Sequence, residues 1–149
     1  MGRTIKRVNM AAVRPAEKAK RVAAYARVSC GKDAMLHSLS AQVSYYSGLV
    51  QKTPGWEYAG VYADEAVSGT KNSRGEFQKM LAECRAGNID LIITKSISRF
   101  ARNTVTLLSA VRELRLLGVD VYFEKENLHS MSADGELMLT LLASFAQEE

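Results

Sequence analysis

The residues best suited to chemistry are arginines and serines that fall where short apolar runs end. In "RVAAYARVSCGKD", residues 21–33, Arg27 and Ser29 stand two apart just before the chain breaks at Gly31. Successive side chains of an extended strand alternate faces, so these two project from one side at the strand's carboxyl end. A guanidinium beside a hydroxyl suggests an anion site with a nucleophile in it. Further on, "DEAVSGTKNSR" supplies Asp64, Ser68 and Arg74, and "KSISRFARN" supplies Ser98, Arg99 and Arg102. Arg99 and Arg102 are three apart, and a helical turn there would set them on one face. Together with Arg27 and Arg74 they offer several bidentate donors, which suit a tetrahedral phosphate better than a carboxylate. Phosphoryl transfer needs an aligned nucleophile and compensation of equatorial charge. Magnesium sites want clustered carboxylates, and in these loops only Asp64 and Glu65 lie close together. Arginines are therefore expected in place of a metal, with no cofactor. Each residue alone has a plainer reading: Ser29 as a loop serine capping a backbone group, Arg99 and Arg102 as solvated helix residues, Asp64 as a turn former. Cys30 is a rival nucleophile with no nearby His. The coincidence of four arginines and a serine at strand ends carries the sharper reading.

The elements that must position these residues alternate. Strand-like runs at 21–29, 58–66, 90–96 and 120–126 are separated by helical segments, which argues for an α/β layer architecture. In an open α/β sheet the functional loops gather at the carboxyl ends of the strands. The fourth such loop, "EKENLHSMSADG", is acidic and lacks arginine. One helix is expected to open after Ser38 as its cap and to end before Pro54. A second opens with a capping box, Ser73 to Glu76, and closes on Gly87. A third places Leu107, Val111, Leu114 and Leu117 on one stripe and stops at Gly118. A fourth starts near Asp134 and is still amphipathic at Glu149, the pattern of a fragment whose helix continues. Tyr25, Tyr62 and Phe145 read as core.

With 149 residues, 47% hydrophobic and 24% charged, the chain fits one ordinary globular domain. Its apolar runs, such as "LMLTLLASFA", fall far short of the roughly 18 residues that span a bilayer. No apolar leader with a cleavage site opens the chain, so a cytoplasmic protein without membrane contact is expected. Cys30, Cys84, His37 and His129 share no metal-ligand spacing. The net charge of +4 is unevenly placed: residues 1–21 hold seven Lys or Arg against one Glu, whereas the remaining 128 residues carry 13 basic and 15 acidic side chains. Bulk charge on the body therefore does not argue for nucleic acid, and a phosphate site must be built from a few placed arginines. Residues 1–20 read as a basic flexible tail and 21–149 as the domain.

"YARVS", "YADEAVSGTKNSR", "LIITKSISRFARNT" and "GELMLTLLASFAQEE", in that order and at fitting distances, resemble the catalytic domain of the serine recombinases, the resolvase and invertase family. The resemblance covers roughly residues 20–149. "PGWEYAGVYADEAVSGT" and "SRFARN" point to a large member of the transposon or phage-integrase type. It implies a three-layer resolvase-like α/β domain, with a mostly parallel central sheet of four to five strands and helices on both faces. It implies that Ser29 attacks a phosphodiester of double-stranded DNA, giving a 5′-phosphoserine link and a free 3′-hydroxyl without a metal ion. Arg27, Arg74, Arg99 and Arg102 match the arginines that bind the scissile phosphate, and Ser68 and Asp64 match supporting polar positions. The last helix would begin the long helix through which subunits form dimers and tetramers, and DNA binding would rest on a carboxyl-terminal region of the full-length protein. Asp33 stands where many smaller resolvases have glutamine, Ser98 where many have an acidic residue, and Cys30 where threonine is common.

Two rival classes are set against this. A non-catalytic recombinase-like assembly module predicts loss of Ser29, Arg27, Arg99 or Arg102, and all are present. A small-molecule phosphatase or nucleotide-binding domain predicts a Gly-rich phosphate loop, and no GxGxxG or GxxxxGK[ST] match occurs.

Overall fold

The computed structural model describes residues 19–28, 32–65 and 74–148. Five strands form one sheet in the order β2-β1-β3-β4-β5, with β1 at Lys20–Val28, β2 at Trp56–Glu65, β3 at Leu91–Thr94, β4 at Asp120–Phe123 and β5 at Leu128–His129. The first four are parallel, and β5 is antiparallel to β4. Helices α1 (Lys32–Lys52), α2 (Gly75–Arg85), α3 (Ile97–Phe100), α4 (Thr104–Leu116) and α5 (Ala133–Glu148) are the helical elements among the described residues. The chain leaves β1 for β2 on one side and then returns past β1 to β3. Right-handed crossovers running in opposite directions must lie on opposite faces of the sheet.

The alternation of strand side chains divides the core accordingly. Ala23, Tyr25, Ile92, Val121 and Phe123 face α2, α4 and α5, whereas Val22, Ala24, Leu91 and Ile93 face Tyr46 and Val50 of α1. The expected three-layer architecture is therefore present. The acidic fourth loop contains a short strand that was not expected: after a turn with Asn127 at φ +50, Leu128 and His129 pair back onto Phe123 and Tyr122. A two-residue strand has too little alternation to be seen in sequence.

Two helix starts, and the burial of one residue at a helix end, differ from expectation for physical reasons. α1 begins at Lys32, six residues before Ser38, because "KDAML" is rich in good helix formers. α2 has Arg74 as its N-cap, without a side-chain cap of its own, and Ser73, the first residue of the expected capping box, lies outside the described residues. α4 stops at Gly118 as expected, but Leu117, its C-cap, leaves the buried stripe at 40% exposure because Gly118 at φ +78 turns the chain away, while Leu107, Val111 and Leu114 are buried as expected. Tyr25 is fully buried and Tyr62 packs against the core partly exposed. The side chain of Phe145 and the tail at 1–18 lie outside the described residues.

Gly135 makes a sharp prediction. Alanine inside a helix ordinarily gains about 0.5–1 kcal/mol over glycine. Here, however, a Cβ would stand 2.2 Å from the His129 carbonyl oxygen and 2.7 Å from that of Ser130. Backbone lies on the far side of the contact and cannot swing away, so overpacking of about 1–3 kcal/mol reverses the sign. Thermal unfolding of Gly135→Ala should show a lower midpoint than wild type; an increase would mean that α5 is not held against β5.

Candidate active site

In the strand order 2-1-3-4 the direction of winding reverses between β1 and β3, and the carboxyl ends of those two strands frame a crevice. Arg27 is the last residue but one of β1, and the turn carrying Ser98 and Arg99 follows β3. Topology thus brings together residues 72 positions apart: Arg99 Nη1 points to the Arg27 carbonyl at 3.5 Å, and Arg27 Nη2 donates to the Ser98 carbonyl at 3.3 Å.

The aromatic core sets the position of α3. Phe100 is fully buried with its ring edge-on to Phe77 at 5.2 Å and to Phe123 at 5.7 Å, and Phe77 meets Tyr25 at 5.0 Å. Ser96 caps the turn by accepting from the Arg99 amide at 3.2 Å and lies 3.1 Å from the Ser98 hydroxyl. The helical turn then stops: Ala101 is extended, at φ −146 and ψ 146. Arg99 and Arg102 therefore do not share a helix face as their spacing had suggested. Both nevertheless act on Arg27.

Asp64 anchors the second loop. It is 6% exposed and faces Arg27 across the β1–β2 register. Its carboxylate accepts from the Tyr25 hydroxyl at 2.9 Å, the Glu76 amide at 2.9 Å and the Phe77 amide at 3.1 Å. An acid from a neighbouring strand thus caps α2, satisfying first-turn amides that the local sequence leaves open. Arg74, at that same N-terminus, donates to the Phe100 carbonyl and lies over the Phe77 ring at 3.7 Å and the Tyr25 ring at 5.3 Å. Burial, opposed by Arg74 and reinforced by Asp64, pushes the Tyr25 phenol up to about 12.

Among the described residues no carboxylate forms an ion pair with Arg27, Arg74 or Arg99. The Arg27 pKa is lowered, chiefly by desolvation and further by repulsion from Arg102, Arg74 and Arg99. The Nε groups of Arg27 and Arg74 are buried with no hydrogen-bond partner among the described residues. A bound oxyanion would fill those vacant donors and offset the repulsion. Arg27 and Arg99 line a cavity of about 220 Å³ that also meets Ser38, Gln42, Tyr46 and Lys95. Ser29, Cys30 and Ser68 lie outside the described residues; β1 delivers the chain to Ser29 one residue past its end. The buried Cys84 thiol is pushed up to about 12, chiefly by burial, which makes it a poor nucleophile.

Residues 22–149 match the family model described as Resolvase, N terminal domain. The chain belongs to the resolvase family. The Tn3 resolvase of Escherichia coli is 26% identical over 129 residues, covering 87% of this chain and 63% of its own length. The Tn501 resolvase of Pseudomonas aeruginosa is 34% identical over 92 residues, covering 60% of this chain and 48% of its own. The N-terminal catalytic domain of TP901-1 integrase superposes with a TM-score of 0.66 at 25% identity, covering 86% of this chain and 95% of that one. A resolvase family site-specific recombinase from Streptococcus pneumoniae gives 0.68 at 26%, covering 86% of each. The chain spans about three-fifths of the length of the Tn3 relative.

Sequence reasoning overlooked two features of this resolvase-family site. Lys95 lies at the rim beside Arg99, and its place at the carboxyl end of β3 was the available signal. Gln42 comes from the middle of α1, where no local pattern marks it.

Proposed function

We propose that the chain is the catalytic domain of a site-specific DNA recombinase that cleaves and rejoins strands through a 5′-phosphoserine intermediate. The observation that carries this reading is the convergence of Arg27, Arg74, Arg99 and Arg102 at the carboxyl end of the strand leading to Ser29, with two buried guanidinium donors vacant. Membership of the resolvase family supports it.

In this mechanism the Ser29 hydroxyl oxygen attacks the scissile phosphorus as its proton passes to solvent. A bond from Oγ to phosphorus forms, the bond to the 3′-oxygen breaks, and that oxygen leaves with the electron pair and takes up a proton. Charge accumulates on the equatorial oxygens, where the four guanidinium groups compensate it without a metal ion. The serine ester conserves the bond energy, so a 3′-hydroxyl from another strand reverses the step without ATP. Asp64 acts as a positioning residue through Arg74 and Tyr25. Dimers and then tetramers, paired through α5, would bring four such sites together on double-stranded DNA bound by the full-length protein.

The test uses the whole natural protein containing this chain, mixed with duplex DNA from the junctions flanking its gene and quenched in denaturant. A covalent adduct is expected on the 5′-ended strand, and peptide mapping by mass spectrometry should place the phosphate on Ser29. If DNA is bound at its site but no adduct forms, the catalytic reading fails and an assembly module takes its place.

A further inference from the structure

The cavity at the arginine cluster does not end there. Gln42, Tyr46 and Lys95 also line a larger opening of about 580 Å³ between α1 and the carboxyl ends of β3 and β4, which adds Tyr45, Glu124 and Lys125. Two hydrogen bonds extend the β3–β4 pairing beyond the strands: Glu124 N donates to the Thr94 carbonyl at 2.9 Å, and Lys125 N to the Lys95 carbonyl at 2.8 Å. These bonds set Lys95 and Lys125 side by side on the rim, and both are exposed.

Glu124 would be the natural partner of either lysine. Its carboxylate is engaged elsewhere: one oxygen accepts from the Tyr45 hydroxyl at 2.7 Å and the other from the Tyr46 hydroxyl at 2.9 Å. The two tyrosine rings pack edge to face at 4.9 Å, and the bonds to Glu124 help to raise both phenol pKa values. Among the described residues neither Lys95 nor Lys125 forms an ion pair. The result is a groove with an aromatic wall, an acid held by two tyrosine hydroxyls and two lysines that form no ion pair among the described residues, and it shares Gln42, Tyr46 and Lys95 with the cavity at the arginine cluster.

We propose that this groove carries the DNA backbone flanking the phosphate held by the arginines, with Lys95 and Lys125 each contacting a phosphate. The proposal rests on the recombinase reading for the identity of the polyanion. Continuity with the cluster and the matched charge argue for a nucleic-acid strand over a small anion, which the arginines alone would accommodate. Phosphate contacts of this kind position the strand and do not read its sequence.

The experiment measures binding of the whole natural protein to a duplex from the same junctions across a range of salt concentrations. Each lysine that neutralises a phosphate steepens the dependence of log K on log salt by about one unit. Lys95→Gln with Lys125→Gln should therefore flatten the slope by about two units, whereas Lys95→Arg with Lys125→Arg keeps it. Thermal midpoints establish that the variants fold, and two exposed side chains are not expected to move them. An unchanged slope in the folded glutamine variant overturns the proposal. Adduct formation by wild type is scored separately, so failure of the cleavage chemistry and failure of the groove give different results.

Discussion

Arg27→Gln is expected to lower the rate of adduct formation by about 10²–10³-fold, the usual consequence of removing one preorganised donor from a developing oxyanion, without lowering the thermal midpoint. Two effects compete in the folded protein. Removing the side chain forfeits one long hydrogen bond, Arg27 Nη2 to the Ser98 carbonyl at 3.3 Å. It also relieves desolvation and the repulsion exerted by Arg102, Arg74 and Arg99. A 3.3 Å bond beyond the usual N–H to O range is weak, and desolvation together with repulsion among like charges is a standing cost, so relief wins or balances. This is the signature of a functional site whose charges are arranged for a ligand at the expense of the empty fold. Single-turnover cleavage and thermal unfolding, measured on the same variant, decide the matter. A fall in both together would make Arg27 structural, and an unchanged rate would remove it from the phosphate site.

Asp64→Ala carries the largest expected stability effect, about 2–4 kcal/mol, from loss of a helix cap and of buried hydrogen bonds. Three donors lose their acceptor at once, the Tyr25 hydroxyl and the amides of Glu76 and Phe77. At 6% exposure water cannot readily replace the carboxylate. For a chain of this size the thermal midpoint should fall by roughly 5–15 °C. Asp64→Asn should fall between the two. Its oxygen can replace Oδ2, which serves both Tyr25 and Phe77, but its amide would then face the Glu76 amide, donor against donor. Cleavage should suffer in the alanine variant beyond the loss of folded protein, because Arg74 stands at the helix terminus that Asp64 holds. A double-mutant cycle with Tyr25→Phe isolates the Tyr25 contact. Additive effects, or a loss below about 0.5 kcal/mol for the alanine variant, the size usual for an ordinary surface site, would show that Asp64 does not organise the loop.

The groove and the arginine cluster meet at Lys95, and this gives the two halves of the site different tasks. Arg27 and Arg74 each bury an Nε donor, which suits the phosphate proposed for this site, whose charge must be compensated during reaction. The lysines are exposed point charges that tolerate a mobile backbone. Variants of the first kind should change the chemical step, and variants of the second should change salt dependence.

What could be read from sequence alone depends on short-range physics. The alternation of strands and helices, the ends of α4 and the placement of Arg27, Arg74 and Arg99 beside strand or helix ends follow from periodicity, caps and glycines acting over a few residues. The four arginines were legible as a set because each sits next to such a local signal. Whether they meet is a different matter, decided by the 2-1-3-4 strand order that sets β1 beside β3. The capping of α2 by Asp64, 12 residues before Glu76, and the holding of Glu124 by tyrosines 78 and 79 residues away have no local signature, because each bond is made by packing elements that are remote in the chain. The spacing of Arg99 and Arg102 misled for the same reason: burial of Phe100 in the aromatic cluster fixes one helical turn, and the extended Ala101 then sends the chain elsewhere. Sequence by itself determined which charges stand beside strand ends; tertiary structure decided that Arg27, Arg74 and Arg99 form no ion pair among the described residues and that the Nε donors of Arg27 and Arg74 are buried, because only packing brings remote strand ends together.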